Sequence, residues 1–139
     1  MCGLFCAGFL ALNIWNVAGL LKFGRSHIGD AITFMVENSI EKSPVTFGGE
    51  QDFRTLFVLA FYSRETMPAQ PMQYYEHDQW PPDGPEWVIF HQESFRQPVP
   101  PGRTFYDKFG NWFELVRIYP TAPLSGVHLF IYHRMARPT

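Results

Sequence analysis

The chain has 139 residues, 46% of them hydrophobic and 17% charged, with a formal net charge of −2. A chain of this length buries a core without disulfide or metal staples, and this composition excludes an intrinsically disordered protein. Lysine and arginine form no run, which excludes nucleic acid as a partner, because phosphate-backbone affinity needs clustered cations.

From Cys2 to Leu21 there is no charged residue. As a helix this stretch would rise about 30 Å, enough to cross a bilayer core, so residues 1–24 read as a transmembrane helix and residues 25–139 as a soluble domain. A secretory leader is the alternative, but no basic region precedes the apolar run and no A-x-A site follows it. A buried core helix is the other, and it usually shows a polar stripe. Gly3, Ala7, Ala11 and Ala18 form a small-residue stripe, and Asn13 and Asn16 share a face. Small residues and amides of this kind pack helices together in lipid, so other transmembrane helices or a larger membrane protein are the expected partners. Lys22 and Arg25 after the span would place the remainder in the cytoplasm.

Ser26 can cap a helix whose one face carries Ile28, Ala31, Ile32, Met35, Val36 and Ile40, and which ends near Lys42 because Pro44 disfavours a helical Ser43. Then comes a strand, Val45–Phe47, broken at Gly48-Gly49 as a tight turn, and a helix with Phe53, Leu56, Phe57, Ala60 and Phe61 on the face that should meet the sheet. The turn GGEQDF matches no phosphate-cradling motif, and Glu50 and Asp52 would repel an anion at the helix start; Asp52 reads as a cap. Met72–His77 reads as a strand parallel to the first, Glu86–His91 as a strand buried on both faces, and 92–110 as a proline-rich loop. Asn111–Pro120 and Gly126–Arg134 read as antiparallel neighbours. The fold class expected is α/β: an N-terminal transmembrane helix followed by a small mixed sheet with helices packed on it.

Catalytic motifs are missing from this pattern. His77 with Asp78 and His91 with Glu93 lie at strand ends, where ligands gather in open α/β sheets, so a small metal-dependent enzyme is one alternative. No metal-ligand spacing supports it, and no metal or cofactor is expected; the bland reading is histidines bonded to loop backbone. His128 and His133 fall on opposite faces of one strand and read as structural. Among the aromatics, which could line a sugar or lipid-headgroup surface, Trp80 in its proline loop reads as exposed and interactive.

An apolar span, a helix, VTFGGEQDFRTLFVLAFYSR, EWVIFH and then FELVRIYPTAPLSGVHLFIYHR follow one another along the chain. This order resembles the C-terminal domain of bacterial multi-spanning glycosyltransferases of the dolichyl-phosphate-mannose protein mannosyltransferase type. The resemblance rests on Asp52-Phe53-Arg54 after a turn, on Leu124-Ser125-Gly126, and on Tyr132-His133-Arg134. It implies a role for Asp52 and Arg54, contact with a lipid-linked sugar or glycan, and an extracytoplasmic domain, which is the placement expected here in preference to the two-charge signal of Lys22 and Arg25. The family's catalytic acidic loop and its many membrane helices are absent from this sequence, so no catalysis by this chain alone is expected. The resemblance then implies an accessory or terminal domain of a larger glycosyltransferase-like membrane protein; a single-pass structural subunit of another membrane complex is the alternative.

Overall fold

The computed structural model describes residues 27–136 except 42, 51, 66, 94–95 and 122–125, together with 13–15 and 17–18. Among the described residues it is a six-stranded mixed sheet with few helices. In chain order the elements are α1 (Ile28–Asn38), β1 (Val45–Gly49), α2 (Asp52–Glu65), β2 (Met72–Tyr74), β3 (Trp87–Glu93), β4 (Thr104–Tyr106), β5 (Trp112–Tyr119) and β6 (Val127–Arg134). The sheet order is β2-β1-β3-β6-β5-β4. β2 and β3 both run parallel to β1, whereas β6 is antiparallel to β3, β5 to β6 and β4 to β5. The helical route through α2 makes β1 and β2 parallel, because a tight turn can only reverse a strand.

Period-two alternation sorts the side chains into two layers. On one face Phe47, Trp87, Ile89, Leu129 and Ile131 pack beneath α1 (Ala31, Ile32, Met35) and α2 (Leu59). On the other face Val88, Phe113, Phe130 and Tyr132 pack beneath Trp80 and beside Phe105. In β5 the register slips between Leu115 and Arg117. That bulge turns the strand over, so that Leu115 joins the second layer while Arg117 lies against Phe34 of α1 and Tyr119 enters the first.

The expected fold class is corrected at the N-terminus. Among the described residues no helix is long and apolar enough to cross a membrane, so the transmembrane helix over residues 1–24 is not supported. Gly3, Ala7, Ala11 and Asn16 of its packing stripe lie outside the described residues, while Asn13 and Ala18 are helical and exposed.

Four further expectations are corrected. α1 begins after His27 with no side-chain cap, and Ser26 lies outside the described residues. Gly48 and Gly49 do not form the turn but complete β1. A Cβ on Gly48 would lie 2.8 Å from the Trp80 ring, so the glycine is there to let the indole lie on the strand. β4 occurs within 92–110, which read as loop; its three residues are ordered by pairing with β5 rather than by their own pattern. Finally, α2 turns Thr55 and Leu59 to the sheet and leaves the expected buried face outward. Phe53 is 75% exposed, Phe57 61%, Phe61 58% and Leu56 41%.

Candidate functional site

β1, β2 and β3 are parallel and end at one edge of the sheet, beside the start of α2. There the fold gathers the residues that sequence reasoning singled out. Asp52 stands at the first position of α2. Its carboxylate accepts from the Tyr74 hydroxyl at 2.6 Å and from the His77 backbone N–H at 3.1 Å. It ties α2 to β2 and the following turn through these two bonds. Arg54, the third residue of α2 and on its exposed side, reaches across to Glu93 at the end of β3, 2.5 Å away. Glu50 accepts from the His91 backbone N–H at 3.0 Å. Carboxylates of this edge are thus engaged with groups of neighbouring elements, which pins α2 over the strand ends.

His91 points to the helix-covered face and lines a small cavity with Thr55, Ile28, Ile32, Leu59 and Ile89. Burial in this apolar wall, with the Arg54 guanidinium second, pulls its pKa down from 6.5 to about 4; Glu93 opposes the shift only in part. His91 is therefore neutral at pH 7. Burial, followed by the hydrogen bond to Asp52, raises the Tyr74 pKa and keeps that phenol protonated as a donor.

A pH dependence follows. In the unfolded chain His91 titrates near 6.5, and in the fold near 4, so between these values the unfolded state binds more protons. Its contribution to stability is complete above pH 6.5 and is lost as pH falls toward 4, by at most about 3 kcal/mol. Denaturant midpoints at pH 7 and pH 4.5 should therefore differ less in His91→Gln than in the wild type. An equal loss in both proteins would contradict this placement of His91.

His77 and Asp78 do not meet His91 and Glu93 as a ligand set. Among the described residues no group of three or more histidine, cysteine, aspartate or glutamate side chains can hold a metal ion. His77 starts a 3-10 turn, His77–Gln79, and its ring lies 5.5 Å from that of Trp80 at a steep angle. Trp80 is only 8% exposed, against the expectation of an exposed loop residue, since it fills the space over Gly48 and packs against Phe113. His128 is structural, as read: Thr121 N–H donates to its Nδ1 and its Nε2 pairs with the Arg96 carbonyl.

Two features were missed. The first is a polar knot at the opposite end of the sheet. Glu86, 2% exposed, accepts from the Ile40 N–H at 2.5 Å and lies 3.4 Å from His133 Nε2. Its backbone N–H donates to Thr46 Oγ1. Beside it Arg134 pairs with Glu41 and donates to the carbonyls of Asp83 and Gly84. Here three elements and two loops are clamped by charge-assisted bonds, a structural task.

The second is the outer face of α2. Phe53, Phe57 and Phe61 recur every four residues and form a ridge, with Phe53 and Phe57 edge to face at 4.8 Å. Beside the ridge a groove of about 220 Å³ runs between α2 and the edge strand β2, lined by Leu56, Ala60, Arg64, Met72 and Tyr74. The periodicity that exposes this face was visible in the sequence; its direction was not. Comparison of the chain with protein-family models, with curated proteins and with solved structures finds no match.

Proposed function

We propose that this chain is a non-catalytic accessory or terminal domain of a larger glycosyltransferase-like protein, docked to it through the outer face of α2. The observation that carries the reading is the alignment of Phe53, Leu56, Phe57 and Phe61 on one exposed helix face. At ~200 Å² for a fully exposed ring these side chains offer roughly 450 Å² of apolar surface, as large as the largest patch on an ordinary monomer. A stable interface covers about 800 Å² per partner, so the occupant must extend past the ridge into the α2–β2 groove. An apolar helix of the larger protein has that shape: its own side-chain rows fit between ridge and groove. The engagement of Asp52, Arg54 and Glu93 with one another's elements supports an edge that holds α2 in place rather than one that does chemistry. The resemblance through Asp52-Phe53-Arg54 and Tyr132-His133-Arg134 supplies the kind of partner.

Purification of the chain from native membranes in mild detergent, with mass identification of what accompanies it, tests this. The wild type should bring down a multi-spanning glycosyltransferase, and Phe57→Glu with Phe61→Glu should reduce its recovery at least about tenfold while leaving the fold intact, because these rings touch little of this chain's core. Undiminished recovery with the double variant, or recovery of the wild type alone or only as a dimer, would refute the reading. Stoichiometric recovery with a complex of no transferase character would leave the docking face standing and replace the partner.

A further inference from the structure

The second face of the sheet holds a cleft of about 270 Å³ between the His77–Gln79 turn and the β4–β5 hairpin. Its walls are His77, Trp80, Phe90, Phe105, Tyr106 and Lys108. Lys108 donates to the Asp78 carbonyl at 3.2 Å, bridging hairpin and turn. Asp107, also at the cleft, is committed to the hairpin: its carboxylate accepts from the N–H groups of Phe109 and Asn111 and from the Asn111 amide. The indole N–H of Trp80 is buried and has no hydrogen-bond partner among the described residues.

We propose that this cleft binds one neutral sugar ring. The walls are aromatic while the rim carries an imidazole, a phenol and an ammonium group, the mixture of apolar surface and a few polar groups that marks a small-molecule site. Ring orientation decides among ligands. Phe90 meets Phe105 at 75° and His77 meets Trp80 at 67°, so the walls form corners and no parallel slot for a planar base or aromatic molecule. Lys108 shares the cleft with the Asp107 carboxylate and spends one of its three donors on the Asp78 carbonyl, so the rim offers no excess positive charge to a phosphate or carboxylate. The volume is below the usual range of ligand pockets and too small for an acyl chain. A pyranose presents C–H groups from its faces to the negative faces of aromatic rings and hydroxyls from its edges to the polar rim.

This inference does not rest on the docking reading, because the cleft and α2 lie on opposite faces of the sheet. The test is an NMR titration of the isotope-labelled chain with the methyl glycosides of glucose, mannose and galactose. At least one should shift the Trp80 indole signal and the amides of Tyr106 to Lys108, with a Kd on the order of 1–10 mM for a single ring. Tyr106→Ala, at an exposed edge-strand position, should weaken the binding about tenfold; His77→Ala should do the same if the first variant misfolds. Phe57→Glu with Phe61→Glu should bind the sugar as the wild type does, which separates failure of this proposal from failure of the docking one. No site-specific shift with any of the three glycosides would overturn the proposal. So would shifts centred elsewhere, or shifts unaffected by changes at Tyr106 and His77.

Discussion

Trp87→Ala should cost about 4 kcal/mol of folding stability, measured by denaturant unfolding, the range for deleting a large aromatic from a packed core. Trp87 is 2% exposed and packs between α1 and the sheet: Phe34 of α1 meets its ring at 6.0 Å and His133 of β6 at 4.4 Å. Its indole N–H donates to Ser39 Oγ at 2.7 Å, and that hydroxyl donates in turn to the Met35 carbonyl. Two losses are therefore separable. Trp87→Phe keeps most of the volume and forfeits the bond, for about 1–2 kcal/mol. Ser39→Ala keeps the volume and leaves a buried N–H without a partner, a comparable loss. If Trp87→Ala cost less than about 1 kcal/mol, the α1 layer would not pack on β3 as described.

Glu86→Ala should destabilise by about 2–4 kcal/mol. The carboxylate is buried at the head of β3 and is the acceptor for Ile40 N–H, with His133 beside it, so its removal leaves donors from the α1–β1 link and from β6 unpaired at once. Glu86→Gln retains an acceptor oxygen of the same reach and should lose less than half as much. Equal losses in the two variants would mean that the negative charge, and not the hydrogen bonding, holds this end of the sheet together.

Some of this architecture is written in local pattern. β5 and β6 combine β-branched and aromatic residues with a short connection, and α1 shows one apolar stripe; such features need no tertiary knowledge. α2 was legible as a helix but not as to its inner face, because both sides are apolar. Phe53, Leu56, Phe57 and Phe61 outweigh Val58, Leu59 and Tyr62 in a count of periodic residues. The short link from β1 decides instead: it sets Thr55 over Gly49, with the hydroxyl 3.1 Å from where a Cβ would stand, and a phenylalanine does not fit there. Trp80 misled for a related reason. Gly48-Gly49 reads as a turn in sequence, and only the pairing of β1 with β3 makes it a floor for an indole. At the candidate edge, strand-end logic named His77, Asp78, His91 and Glu93, and the family resemblance named Asp52 and Arg54, but neither gave their pairings, which run between elements separated by a crossover.

The sheet carries a distinct surface feature on each face. The α2 edge fixes a helix whose aromatic ridge faces outward, and the opposite face carries an aromatic cleft. Exposed rings cost solubility without contributing to this chain's own core, which is the physical ground for proposing a covering partner.

The most direct test of docking through α2 is a photoreactive benzoylphenylalanine placed at position 57 in the full chain and illuminated in native membranes, with the same group at position 106 as the control. The account predicts a crosslink from position 57 to an apolar helix of a multi-spanning glycosyltransferase and none to that protein from position 106. Crosslinks from both positions to the same range of proteins, or none from position 57, would contradict it.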